Sequence, residues 1–369
     1  MMFRFLLPIG IFMLANAAAQ YLQIKNELTL ETPCNGVSTL PDGRLFILYA
    51  RVDGSHGPTV LEWKNGKGVP YPNLEWNSYS TDMKLDPASH FVRINSIRNG
   101  PDGSLWIVDT GSPSFGADVI LPEGPKLIKI NTKTNKVSRI YPMGNVTRYN
   151  SLLDDVRFHD AAGKAYLTDA GSPALIVLDL ASGDAIRVLE NDVSTSASMP
   201  TSGEGVLMGN INGGLQYIYA DQLEVSPDGK WFYYQPASGG MHKIETKYLN
   251  NAFYNSSLAG ILSQYVVPHA LTPSTGGTAI DAEGNIYDSD TDRQAIMKIA
   301  PNGTMTTLIR DSRLLWVDAM WIDSKKRLWM PAAQLNRGEP FNKGKNHIKP
   351  PLHVYSMDIG VGPSPIDHA

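Results

Sequence analysis

The chain has 369 residues and a net charge of −4, so it presents no cationic field for nucleic acid, and no basic cluster interleaved with aromatics alters that. A single cysteine, Cys34, excludes an intramolecular disulfide framework. With 42% hydrophobic residues the chain can bury its apolar surface without such staples, although its length exceeds what one ordinary core fills.

Residues 1–19 read as a secretory signal peptide: Arg4, an apolar run from Leu6 to Leu14, then small residues from Ala15 to Ala19, with cleavage expected after Ala19. That run is well short of the about 20 residues of a spanning helix, and no later segment spans a membrane. We therefore expect a signal peptide over 1–19, a single domain over 20–369, and secretion or residence in the secretory-pathway lumen. Asn145, Asn255 and Asn302 begin Asn-x-Ser/Thr tripeptides and are candidate glycosylation sites on that route.

From Leu40 onward a turn followed by an apolar strand recurs six times. The copies begin Leu-Pro-Asp-Gly at Leu40, Gly-Pro-Asp-Gly at Gly100, Asp-Ala-Ala-Gly at Asp160, Ser-Pro-Asp-Gly at Ser226, Asp-Ala-Glu-Gly at Asp281 and Asp-Ser-Lys-Lys at Asp323. The turn positions Gly43, Gly103, Gly163, Gly229, Gly284 and Lys326 are 60, 60, 66, 55 and 42 residues apart. A second strand follows each turn, at Thr59, Leu127, Leu175, Met241, Ile296 and His353. Hairpin-rich repeats of this length predict an all-β fold, a six-bladed β-propeller. After the last copy the tail from Gly360 is too short for the outer strand that copies two, three and five possess. The segment from Tyr21 to Leu30 can supply it, closing the ring and removing an exposed edge.

No Gly-x-Ser-x-Gly elbow, His-Glu-x-x-His helix or phosphate-binding loop is present, and no histidine stands in zinc-ligand spacing with another His or Cys. The repeat itself serves as a ruler. Eight residues before each turn position stand Asn35, Asn95, Asp155, Asp221, Gly276 and Asp318, five of six being Asn or Asp. These positions open the innermost strand, where all blades converge on the channel mouth. Three readings stay open: turn hydrogen bonds, a hard-oxygen site for Ca²⁺ or Mg²⁺ at Asp155, Asp221 and Asp318, and the polar floor of a ligand pocket. Carboxylates converging without a metal would raise at least one pKa and create a general acid. In blade three Asp155, Arg157 and His159 alternate and share one strand face, turned either to the channel or to the next blade.

The stretches Trp63 to Asn77, Phe91 to Gly111 and Pro125 to Ile130, continued by Asp155-Val-Arg-Phe, Ala165 to Asp169, and Leu223 to Gly229 with Phe232-Tyr-Tyr, resemble the major royal jelly and yellow protein family. The resemblance runs through essentially the whole mature chain and implies a secreted six-bladed propeller. It further implies one of three roles: binding of small aromatic amines in the channel, dopachrome-type tautomerisation, or a secreted protein without chemistry. Lacking paired cysteines, the chain looks more like the fungal branch than the insect one. A more distant resemblance is to gluconolactonase-like propellers, whose metal-binding Glu, Asn and Asp would fall at Asn35, Asp221 and Gly276; none of the three matches.

The leading expectation is an isomerase or cyclase of pigment or secondary-metabolite biosynthesis. It would bind an aromatic or polyketide-like intermediate at the channel mouth and promote its tautomerisation, cyclisation or cycloaddition, steps that orientation and proton transfer accelerate without a nucleophile. Asp155, Asp221 and Asp318 are the proton-transfer candidates, with His159 and Arg157 behind them. Asn35, Asn95, Trp76 and Tyr234 are the ligand-binding candidates, and Trp106 and Trp321 could extend an aromatic wall. No cofactor is required on this reading, and the partner is a small molecule met by a monomer. The alternatives are a secreted small-ligand binder without catalysis and a divalent-metal-dependent lactonase-type hydrolase.

Overall fold

The computed structural model describes residues 23–115, 117–366 and 368. The expected signal peptide lies outside the described residues. Among those described, no helix is long and apolar enough to cross a membrane.

Six four-stranded antiparallel sheets follow one another in chain order, each running from the centre outward. Blade one comprises Gly36–Thr39, Leu45–Leu48, Val60–Lys64 and Lys67–Pro70, and blade two Ile94–Asn99, Leu105–Thr110, Pro125–Asn131 and Lys136–Pro142. Blade three holds Leu153–His159, Lys164–Asp169, Ala174–Asp179 and Ala185–Val188. Blade four holds Ala220–Val225, Trp231–Pro236, Met241–Glu245 and Val267–Ala270, with two short helices, Thr246–Ala252 and Ser256–Ala259, before its outer strand. Blade five is built of Thr275–Ile280, Ile286–Asp290, Ala295–Ile299 and Met305–Arg310.

The sixth blade joins Trp321–Ile322, Arg327–Ala332 and Leu352–Asp358 to Lys25–Leu30 from the other end of the chain. Leu28 lies opposite Val354 and Leu30 opposite Leu352, so the N-terminal strand supplies the outer strand that the last copy lacks and closes the ring. Blades one and four also carry outer strands, Lys67–Pro70 and Val267–Ala270, each containing a proline and so without a clear strand pattern in the sequence.

The turns explain the repeat. Glycines 43, 103, 229 and 284 have φ between 71° and 93°, a region costly for any side chain, and the aspartate one residue earlier, or three earlier at Asp281, accepts the next backbone N–H. The fold needs no single large core. Six separate apolar clusters fill the six blade interfaces, such as Trp106, Tyr141, Phe158 and Ile176 between blades two and three. Another joins Tyr166, Leu175, Leu223, Phe232 and Tyr234 between blades three and four.

One end of the channel is crossed by the C-terminal tail. Ser364 N–H donates to the Ile280 carbonyl, Ile366 approaches Gly229, and the buried His368 ring sits 4.1 Å from that of Trp321. The opposite end, where the inner strands begin, carries the long loops.

Candidate functional site

Each inner strand from blade two to blade five starts with an irregularity that turns side chains into the channel. Register shifts fall at Asn95 in blade two, Asp154 and Asp155 in blade three, Asp221 and Gln222 in blade four, and Gly276 and Gly277 in blade five. Such bulges re-aim residues at barrel and propeller rims. Here they enclose a cavity of about 30 Å³ bounded by Asn95, Asp154, Asp155, Asp221, Gly276 and Asp318, with Ser96, Arg157, Gln222 and Thr278 beneath. That volume is roughly the share of one water molecule.

Two carboxyls, Asp154 and Asp221, lie within hydrogen-bonding reach of each other across this cavity. Asn95 Nδ2 donates to Asp154 Oδ1 at 2.5 Å. Asn35 Nδ2 donates to Asp318 Oδ2 at 2.9 Å, while its Oδ1 accepts from Ala50 N–H at 3.1 Å, so the amide of Asn35 is tied at both ends in positioning Asp318. Ala319 N–H donates to Asp318 Oδ1 at 3.0 Å.

A charged layer lies below. Arg157 donates to both oxygens of Glu224, at 2.9 and 2.8 Å, and also to Asp155, which accepts from Ser96 Oγ as well. Thr278 Oγ1 donates to Glu224 Oε1 at 2.8 Å, and Arg98 Nη2 stands 4.0 Å from Glu224 Oε2.

These two layers fall on opposite sides of neutrality. Burial alone would raise Asp155, but the Arg157 and Arg98 charges and the Ser96 bond hold it below the usual range. For the upper carboxyls burial and mutual repulsion outweigh the bonds they accept. Burial, then the Asp221 and Asp155 charges, pushes Asp154 well above its ordinary value. Asp221 is pushed up to about 7 by burial and by the Asp318 and Asp155 charges, against a bond from Asp154 that lowers it. Asp318 reaches about 8 by burial and the Asp154 and Asp155 charges, against the bonds from Asn35 and Ala319. Raised carboxyl groups side by side are the pattern of acid–base sites.

The blade-five position is a glycine because a side chain has no room there. A Cβ on Gly276 would lie 2.4 Å from the Val317 carbonyl oxygen and 3.2 Å from Trp316 Nε1. Trp316 therefore borders the ring, and it does so with φ 50°, a strained conformation for a bulky residue. Its ring stacks 6.4 Å from Phe341, which meets Phe115 edge-on at 4.9 Å. A wide cleft of about 890 Å³ lies to one side on the loop face between residues 203–209 and 336–349; Phe341 is in its lining but none of the ring carboxyls is.

Among the described residues, no three carboxylate, imidazole or thiol groups converge closely enough to ligate one ion. The ring offers the hard oxygens that Ca²⁺ and Mg²⁺ take, but not their spacing, so no step is derived through a metal.

A family model described as major royal jelly protein matches residues 101–349. The chain belongs to the major royal jelly protein family. A search of curated protein sequences returns no match. Among solved structures this royal jelly family propeller is similar to a luciferin-regenerating enzyme, with 14% identity, a TM-score of 0.56 and coverage of 93% of this chain and 97% of that one. It is also similar to a gluconolactonase from Xanthomonas campestris (12%, 0.53, 91% and 89%). A third is the calcium-binding protein regucalcin from Agrobacterium tumefaciens (12%, 0.51, 92% and 95%). At such identities the likeness is one of fold.

Of the residues singled out in the sequence, Asn35, Asn95, Asp155, Asp221 and Asp318 are brought together, with Arg157 just below. In blade three, however, the residue equivalent to Asp221 and Gly276 is Asp154. Four residues, Val156 to His159, pair between bulge and turn there, where blades four and five have three, Leu223 to Val225 and Thr278 to Ile280. The blade-three glycine is therefore one residue farther from the bulge, and counting back eight stops short at Asp155. His159 is not in the ring: it lies half-buried at the far end of its strand, 3.4 Å from Tyr166 Oη.

Tyr234 and Trp76 do not line the site either. Tyr234 is buried between blades three and four and bonds Ser194 Oγ at 2.7 Å, and Trp76 packs 5.1 Å from Phe91 away from the ring. Trp106 and Trp321 fill blade interfaces, with Trp321 Nε1 donating to Thr39 Oγ1. The aromatic that reaches the ring is Trp316, through Nε1 beside Gly276, with Phe341 and Phe115 packed behind it; Trp316 and Phe341 are buried. They were missed because they come from loops outside the repeat, where no local pattern marks them. Asn145, Asn255 and Asn302 are all exposed, and Asn255 caps the helix at Ser256–Ala259.

Proposed function

We propose that this protein is a secreted isomerase of small, tautomerisable aromatic or polyketide-like intermediates, acting by proton transfer at the channel ring. One observation carries the reading: Asp154, Asp221 and Asp318 face a single small cavity with proton affinities raised toward neutrality, while the Arg157 charge below is taken up by Asp155 and Glu224. The cavity admits only the reacting end of a molecule, with Asn95, Gly276 and Gly277 in its wall.

A carboxyl group that is neutral near pH 7 can donate its proton to a substrate carbonyl oxygen, and a neighbouring carboxylate can take one from the adjacent carbon. Such a pair moves a double bond without a nucleophile or cofactor. The lower layer of Arg157, Glu224 and Asp155 keeps the inner strands in register beneath it.

The test is incubation of purified protein with dopachrome and with keto–enol aromatic substrates. We expect saturable isomerisation that falls by roughly 10²-fold or more in Asp221→Asn, the usual scale for an acid–base group. Saturable binding with no change in product distribution would instead make the protein a binder.

A second reading, a cation site, is favoured by Gln222. Its Oε1 is buried beside the ring without a donor, while Nε2 bonds the Thr275 carbonyl. A cation drawing the carboxyls inward would complete it. Calorimetric titration of chelator-treated protein with Ca²⁺ and Mg²⁺ decides between them, since ion binding there must release protons from the ring.

A further inference from the structure

A second pocket on the loop face, about 550 Å³, lies between residues 51–59, 77–82, 91–93 and 113–114. Its deep wall is Arg93, 4% exposed, at the entry to the inner strand of blade two. Among the described residues no carboxylate stands within ion-pair distance of this guanidinium, and its Nε and Nη1 are buried with no hydrogen-bond partner. The nearby Asp109 is already spent. It pairs with Lys126 at 2.7 Å and accepts from the Val92 and Arg93 backbone N–H groups.

A second arginine faces the same space. Arg51, at φ 57°, is anchored by Ser55 Oγ and the Pro58 carbonyl, and its buried Nε is likewise without a partner. Asp109 and Asp154 act on Arg93, and Asp53 on Arg51, only through space, and burying guanidinium nitrogens with no hydrogen-bond partner is unfavourable unless something else completes them. Both arginines lie beside aromatic faces, Arg93 5.7 Å from the Phe115 ring centre and Arg51 5.1 Å from that of Tyr49. Phe91, Val92, Tyr79 and Pro113 supply flat or apolar wall, and the one carboxylate of the lining, Asp82, is on the exposed rim.

We propose that this pocket binds a small organic carboxylate with a flat aromatic body, its carboxylate held by Arg93 and Arg51. The arginines supply planar N–H donors matched to a carboxylate, and the volume suits one drug-sized molecule. The pocket shares no lining residue with the ring cavity, although the Asp154 carboxyl acts on Arg93 through space, and the proposal does not depend on the proton-transfer reading.

The probes are 4-hydroxybenzoate, its neutral amide 4-hydroxybenzamide, and inorganic phosphate, measured by calorimetry on the full mature protein. The acid should bind about tenfold or more tightly than the amide, a difference of about 1.4 kcal/mol. Arg93→Met should abolish that preference while the melting temperature holds or rises, because an apolar side chain of similar length relieves the unpaired charge. Arg51→Gln, at a better solvated position, should weaken the acid about threefold or more and guards against a folding failure of the first variant. Equal binding of acid and amide, binding undiminished in both variants, or no binding of the acid overturns the proposal. Phosphate competing as well as the acid also overturns the carboxylate assignment.

Discussion

Replacing Asp318 with asparagine probes the charge balance of the ring through stability. The folded protein holds the Asp318 proton up to about pH 8, against an ordinary value of 3.8. A raised carboxyl contributes stability fully present below the unfolded value and lost as pH climbs through the folded one. Between about pH 5 and 8 the loss is about 1.4 kcal/mol per unit, hence about 4 kcal/mol at most, partial solvation of the ring lowering it. The amide of the Asp318→Asn variant has no such proton to lose and escapes that penalty. It does give up one of the two acceptors that face Asn35 Nδ2 and Ala319 N–H, at roughly 1 kcal/mol. The variant should therefore be slightly less stable than wild type near pH 5 and clearly more stable near pH 9, the two curves crossing between. Urea unfolding of both proteins across that range measures it. Parallel curves would refute the reasoning, since they would mean that Asp318 is ionised throughout.

Breaking the lower layer should destabilise at all pH values. Glu224→Ala removes the carboxylate that accepts two Arg157 bonds and the Thr278 bond, and should cost about 3 kcal/mol or more, read as a large fall in urea midpoint. Gly276→Ala forces a methyl group against the Val317 carbonyl and should cost about 1–3 kcal/mol by the same measurement, whereas Gly43→Ala, with nothing within 4 Å, should suffer only for its positive φ. Deleting the strand Lys25–Leu30 leaves Leu352–Asp358 as an open edge, and size-exclusion chromatography should then show association rather than a clean monomer peak.

The propeller was readable because its turns obey local chemistry. A left-handed turn position recurs wherever the same hairpin recurs, a glycine in five copies and Lys326 at φ 64° in the sixth, and the spacing of those positions counts the blades. The N-terminal strand could be assigned by what the last blade lacked. The same ruler found Asn35, Asn95, Asp221 and Asp318, each eight residues before its turn position, and it slipped by one at Asp154 because the blade-three strand pairs one residue more after its two-residue bulge than the strands of blades four and five. Trp316 and Phe341 lie in loops of irregular length, so no period reaches them. Arg93 could not be singled out from its sequence neighbours at all. What distinguishes it is that its Nε and Nη1 are left without partners, and only the folded chain reveals that Asp109, its obvious mate, belongs to Lys126.

The central claim is that ring carboxyls retain protons at neutral pH. Carbon NMR titration of protein labelled at the aspartate carboxyl carbons tests it most directly. At least two aspartates should titrate above about pH 6, one signal vanishing in Asp221→Asn and another in Asp318→Asn. If every aspartate of the folded protein has finished titrating by about pH 5, the ring is a set of ordinary carboxylates and acid–base chemistry at the channel is contradicted.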